Sequence, residues 1–290
     1  MPREFQAGSR HKVAGVVILY NPQIAALDNI GTYIDQIDKL FVVDNSDIVD
    51  SQVVQSLQKR KNVIYIWNQQ NLGIARALNI GAMNAIRDGY EYLLTMDQDS
   101  NAPAGMVAGL LKCLQTHDFS TVGILSPFHV TRNVPPPNKT GCSEVLVVMT
   151  SGNLLNLRIF DTVGPFMEDL FIDCVDHEYC LRLRQNGYKV IQSNVTLLAH
   201  DLGDIRIHSF MNVKFAATHH SALRRYFITR NRFYVMNKYK SQFPDYYLQQ
   251  RTAFRRELLG IILFEKQKTK KMWSIIKGYL DYRKGFTQVS

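Results

Sequence analysis

Cysteine is scarce in this chain of 290 residues: the four present, Cys113, Cys142, Cys174 and Cys180, are spaced 29, 32 and 6 apart with no CxxC pair. That spacing argues against a zinc site and a disulfide framework, and fits a reducing compartment. Long apolar runs are also missing, since Val13 to Leu19 and Leu258 to Phe264 fall far short of the ~18–20 residues a spanning helix needs. The opening MPREFQAGSRHKV has no apolar stretch of the kind a secretory leader carries, so export is not expected. In the C-terminal third, acids are what is lacking. Residues 206–290 hold 18 Lys+Arg against 4 Asp+Glu, a net of +14, whereas residues 1–205 hold 16 against 21, a net of −5. The overall +9 therefore belongs to one end, where a negative surface, polyphosphate or nucleic acid would dock.

With 46% hydrophobic and 20% charged residues, the composition is that of a globular protein, which excludes disorder, collagen and coiled coil as descriptions of the whole chain. The pattern predicts a strand over Val13 to Tyr20, a helix over Ile24 to Leu40, a strand over Leu40 to Val43 and a helix through Val53 and Leu57. A strand over Val63 to Trp67, a helix over Leu72 to Ile86 and a strand over Tyr90 to Met96 follow. Such βαβ alternation predicts a mostly parallel sheet with helices on both faces and a ligand site beyond the carboxyl ends of the strands. Further on, the pattern predicts a helix over Met106 to Leu114, strands over Val122 to Leu125 and Val145 to Met149, and a loop over Thr131 to Lys139. A helix over Asp176 to Gly187 and extended chain from Lys189 precede what reads as helix throughout from about Phe210.

Polar residues gather where those strands end: Asn21, then Asp44, Asn45 and Ser46, then Asn68 and Asn71, then Asp97 and Asp99. Two carboxylates two residues apart share a face in extended chain and suit Mg²⁺ or Mn²⁺, with phosphate and water completing the shell. They serve equally to cap whatever helix follows. The glycine-bearing stretch 68–81 contains neither GxGxxG nor GxxxxGK followed by Ser or Thr, so neither a dinucleotide fold nor a P-loop is supported. A second acidic cluster, Asp173, Asp176 and Glu178, lies where a helix should begin; Asp176 is either an N-cap or a general base. His200 follows an extended run and can offer a nitrogen to a metal.

Taken in order, LYNP (19–22), VVDNSD (42–47), NQQNLGIARALNIG (68–81), LLTMDQDS (93–100), TSGNLL (150–155), FIDCVDHEYCLRLRQNGY (171–188) and LAHDLGD (198–204) resemble the family 2 inverting glycosyltransferases of GT-A fold. Within that family the chain is similar to bacterial rhamnosyltransferases that use dTDP-L-rhamnose to build O-antigen and capsule. The resemblance implies a GT-A domain over 1–205 followed by a basic amphipathic helical region over 206–290. It implies that Tyr20, Asn21, Asp44 and Asn45 surround the nucleoside and that Asn71, Gly73 and Asn79 border the donor. Asp97 is then placed near ribose and metal, Asp99 on the metal, and His200 in its shell. Asp176 is implied as the catalytic base, Glu178 as its support or an acceptor contact, and Asp173 as a sugar contact. Where the family more often has Glu-Asp, this chain has Val175-Asp176.

Within the basic region, residues 224–240 hold six basic residues, no acid and five aromatics. Arg225 and Arg230 are candidates for the donor diphosphate or acceptor phosphates, against a packing role. Residues 253–284 interleave apolar side chains and Trp273 with lysines, which suits an anionic membrane surface bearing a lipid-linked saccharide acceptor; a homodimer interface is the competing expectation. The implied location is peripheral, on the cytoplasmic face of a bacterial membrane. A UDP-hexose or UDP-galactofuranose donor is the nearest alternative. A nucleic-acid-binding role for the tail is remote, because it leaves the acidic strand ends unexplained.

Overall fold

A computed structural model describes residues 11–131, 134–199, 206–210 and 213–285, the segments 206–210 and 213–217 by their backbone. The first half alternates β1 (Val13–Leu19), α1 (Ala26–Gly31), β2 (Lys39–Asp44), α2 (Ser51–Gln58), β3 (Val63–Trp67), α3 (Ile74–Arg87) and β4 (Tyr92–Asp97). After α4 (Met106–Leu111) come β5 (Val122–Val130), β6 (Cys142–Val145), β7 (Asn153–Asn156), α5 (Leu157–Val163), α6 (Val175–Gln185) and β8 (Lys189–Ala199). The hairpin β9 (Arg206–Phe210) and β10 (Val213–Ala217) leads into α7 (Ala222–Lys238), α8 (Pro244–Phe264) and α9 (Lys268–Arg283). Among the described residues no helix is long and apolar enough to cross a membrane.

The large sheet runs β3-β2-β1-β4-β7-β5-β8-β6. Its first four strands are parallel, β7 runs against β4 and β5, and β6 runs against β8. Because β1 pairs with β2 on one side and β4 on the other, the strand order reverses there, and a crevice opens at the carboxyl ends. Helices cover both faces, as the alternation predicts. On one face α3, α5, α6 and α7 bury Leu78, Phe160, Tyr179 and Val235; on the other α1, α2 and α4 bury Ile30, Leu57 and Leu110. Gly81 lets α3 lie tight on β1, where an added Cβ would come within 2.4 Å of Val16. The basic C-terminal helices are part of this packing, because Val235, Met236 and Tyr239 of α7 and Tyr246 of α8 belong to the first face's core.

Several expectations need correction. The helix predicted over Ile24 to Leu40 is α1 plus a 3-10 turn at Ile34–Gln36, and β2 already begins at Lys39. Ile30, Ile34 and Ile37 are buried either way, so apolar spacing does not distinguish the forms, while Thr32 Oγ1 donates to Asn29 O and closes the helix early. No strand spans Val145 to Met149: β6 ends at Val145, and Asn153 Nδ2 donates back to Met149 O across a turn with Gly152 at φ 80°. In place of helix from Phe210, Val213–Ala217 pairs antiparallel with Arg206–Phe210, and helix begins at Ala222. The cysteines are not all free: Cys113 and Cys142 form a disulfide across Cα atoms 5.8 Å apart. Their separation of 29 carries no signal of it; the β5 excursion brings β6 back beside the end of α4.

Glu178 of α6 is fully buried and takes Arg182, Lys238 Nζ and Tyr239 OH, each at 2.9 Å, which fastens α6 to α7. Replacing Glu178 with Ala leaves those cations without a counter-charge. The Glu178→Ala protein should unfold at lower denaturant, with a loss of about 3 kcal/mol.

Candidate active site

The crevice is lined first by groups wired to one another at strand ends. Register places Leu19 beside Asp44, Asp44 beside Trp67, and Ile18 beside Asp97. Asp44, buried, accepts from Tyr65 OH at 2.6 Å and from Ser46 N at 2.8 Å. Asn45 donates to Gly73 O at 3.1 Å and accepts from Asn68 Nδ2 at 2.8 Å. Ser46 Oγ accepts from Asn21 N, and Ser46 O accepts from the Trp67 indole at 2.8 Å. Asn71 Oδ1 accepts from Gly73 N, and Tyr20 stands exposed, its backbone held by Gln98. Of the expected donor residues, Asn21, Asp44, Asn45, Asn71 and Gly73 thus share one network. Asn79 does not: its amide clamps Phe166 N and O and Glu168. Tyr65 and Trp67 are additions to this rim, marked in sequence only by being aromatic at a strand end.

Beside that network lies the acidic cluster. Asp97 ends β4, its N–H donating to Ser151 Oγ at 3.2 Å, while Asp99 stands exposed on the following turn. Burial, and then the charges of Asp99 and Asp176, push the Asp97 carboxyl up to about 7, with Arg224 pulling the other way. That coupling joins Asp97, Asp99, Asp176 and Arg224 in one field, although they come from β4, α6 and α7. Asp97 also holds the buried Tyr33 phenol above its ordinary value, after burial itself; no partner receives that hydroxyl. Asp176 occupies the first turn of α6, and its Oδ1 accepts from His177 N at 2.8 Å.

A strained segment positions Asp176. Phe171, Asp173 and Cys174 all have φ near 60°, in the left-handed region that costs an L-residue about 1–2 kcal/mol each. What holds them is Asn231, wholly buried in α7, whose amide donates to Leu170 O and Ile172 O at 2.7 Å and Asp173 O at 3.0 Å. Phe171 O accepts from Ile74 N at 2.7 Å, and its ring stacks on Phe227. Gly73 is required here, because a Cβ on it would lie within 3 Å of Phe171. Asp173 is bound by Arg224 through two hydrogen bonds at 3.1 and 3.2 Å.

The two arginines singled out in sequence are placed differently from Arg224. Arg225 is buried against Glu257, Glu265 and Thr218; Arg230 is buried with Asp169 O, the Asn231 side chain and the Phe227 ring. Glu178 faces the core, as described. The sequence does not mark Arg224, since a basic run gives no sign of which arginine faces the crevice; Asn231 carries one signal, being a weak helix former in mid-helix.

His200 lies outside the described residues, and among the described residues no three His, Cys, Asp or Glu side chains converge as a metal cage. The residues present do fit a hard divalent cation held by Asp97 and Asp99 with phosphate and water as its other ligands. Unrelieved repulsion among carboxylates is the feature such a cation would remove. With a folded value of about 7 against an ordinary 3.8, Asp97 retains a proton that the unfolded chain has lost. Its contribution to stability therefore falls as pH rises from about 4 to 7 and then levels. Relative to wild type, Asp97→Asn should gain thermal stability progressively across that window, by at most about 4 kcal/mol, and nothing below it. Melting temperatures at several pH values provide the check.

Comparison with known proteins accounts for this arrangement. The family model described as Glycosyl transferase family 2 matches residues 17–174, more than half of the chain. Among curated proteins, the dTDP-rhamnosyl transferase RfbF of Shigella flexneri is 27% identical over 252 residues, covering 78% of this chain and 80% of that protein. Among solved structures, S. aureus TarS 1-349 in complex with UDP superposes with a TM-score of 0.59 at 13% identity, covering 94% of this chain and 92% of that one. GalNAc-T7 with UDP, GalNAc and Mn²⁺ gives 0.56 at 13%, over 69% of this chain, which spans only 44% of that protein. These structures share the GT-A fold with this chain. The matched span contains the strand-end network and both carboxylates of the β4 turn and stops two residues before Asp176; the protein is a glycosyltransferase and belongs to glycosyl transferase family 2.

Proposed function

We propose that the protein moves L-rhamnose from dTDP-L-rhamnose, with inversion, to a hydroxyl of a lipid-linked saccharide in the synthesis of O-antigen, capsule or cell-wall polysaccharide. The likeness to a dTDP-rhamnosyl transferase across most of both chains carries the choice of donor. The chemistry follows from the crevice. Asp176 takes the proton of the acceptor hydroxyl as its oxygen attacks the anomeric carbon, and the bond from that carbon to the diphosphate breaks with its electron pair. Asp97 and Asp99, with His200 as a further ligand, would hold a Mg²⁺ or Mn²⁺ ion, whose charge would offset that of the departing diphosphate. Arg224, tied to Asp173, adds a fixed positive charge at the mouth of the acidic cluster. Tyr20, Trp67, Asp44 and Asn45 form the nucleoside side. Asn71 and Gly73 border the sugar.

Asp176→Asn should lower turnover by ~10²-fold or more while nucleotide affinity stays within about twofold. An active Asp176→Asn enzyme would refute the base. Calorimetric titration with dTDP, UDP and GDP, each with and without Mg²⁺ or Mn²⁺, tests the donor; Asp99→Ala should abolish the metal-dependent part of binding. A UDP-sugar is the second reading, favoured by the UDP complexes of the fold's neighbours, and preference for UDP in the titration would select it.

A further inference from the structure

The segment from α8 through α9 sorts its charges by direction. It holds four acids, and three of them point inward. Glu257 pairs with Arg225 and Arg232, Glu265 is buried on Arg225 and Lys271, and Asp281 accepts from Tyr226 OH. The inner side of both helices is settled by α7. Phe233 meets Phe254 of α8 and Tyr279 of α9, and Gly278 lets α9 approach until an added Cβ would be 2.5 Å from Tyr226 O. The outer side is different in kind. Leu259, Ile262 and Leu263 stand exposed on the last turns of α8, and Trp273, 71% exposed, with Ile276 and Leu280 on α9. Those spacings put each trio on one helix face. Exposed Lys266, Lys270 and Lys284 are interleaved with them, while Lys277 Nζ lies over the Tyr226 ring of α7, and Asp245 at the far end of α8 is the only acid of this segment not engaged with α7 or its flanks.

We propose that this outer face of α8 and α9 docks on an anionic lipid bilayer. Aliphatic and indole side chains enter the boundary between headgroups and acyl chains while the lysines meet lipid phosphates. A second copy of the chain fits poorly, because it would bring an equal set of lysines against the first with their potential acidic partners already engaged. Nucleic acid would satisfy the lysines and leave the Leu and Ile side chains in water. The proposal deepens the reading of a lipid-linked acceptor by naming the surface that meets the lipid, and it can fail independently of the donor assignment.

The full chain is sedimented with vesicles of equal parts phosphatidylglycerol and phosphatidylcholine, and with phosphatidylcholine alone. Binding to the mixed vesicles only, weakening with salt, is expected. Replacing Lys266, Lys270 and Lys284 together by Glu should lower that affinity at least ~100-fold, at about fivefold or more per position. Trp273→Ser with Ile276→Ser should lower it ~10-fold or more. Both variants should retain wild-type calorimetric affinity for dTDP, since neither touches the crevice. Equal binding to neutral vesicles, or mixed-vesicle binding unchanged by the triple variant, overturns the proposal. So does a concentration-dependent dimer dissolved by Trp273→Ser without vesicle binding, or duplex DNA binding in place of lipid. Loss of vesicle binding with dTDP binding intact removes this surface alone; vesicle binding without nucleotide binding removes the donor reading alone.

Discussion

Asn231 is the interaction on which the placement of the reactive groups depends. One buried amide donates to three carbonyls of a segment in which three non-glycine residues have positive φ, and that segment ends where the helix carrying Asp176 begins. Hydrogen bonds from a buried side chain can offset strain of this size, because the alternative is unpaired carbonyls in the core. Asp176 is thus held from a helix about fifty residues further along the chain. It also explains why α7 is buried on so many sides: Arg230, Asn231 and Phe227 form the mould against which the segment is set.

Charge is distributed so that each end of the molecule opposes the other. Carboxylates gather at the crevice, and burial first, then the charges of Asp99 and Asp176, raise the Asp97 carboxyl to about 7. In the C-terminal helices Glu257 and Glu265 are consumed by internal pairs with Arg225, Arg232 and Lys271, which leaves a surplus of base outside. A net charge of +9 averages these regions and describes neither.

The parallel half of the sheet was legible because its strands are continuous apolar runs closed by Asn and Asp. Val63–Trp67 is a strand with the bounds its β-branched and aromatic residues indicate. Legibility fell where elements are short. Cys142–Val145 and Asn153–Asn156 are four residues each, too few for alternation to register, and a side-chain turn from Asn153 separates them. For the site, residue type and place at a strand end sufficed to collect Asn21, Asp44, Asn45 and Asp97. They could not show that Asn79 turns away to Phe166, or that Arg224 rather than Arg225 faces the acids. A helix's sequence states which residues share a face; the partner it packs on decides where that face points.

The covalent tie between Cys113 and Cys142 has a consequence for how the molecule coexists with other chains. Strand β6 is the last in the sheet, and no described strand pairs with its other side, a row of backbone groups on which a foreign strand can add. Anchoring its first residue to the end of α4 keeps this short ribbon seated against β8. Its length of four residues leaves a foreign strand little backbone to pair with, which is one of the ways sheets limit edge-to-edge association.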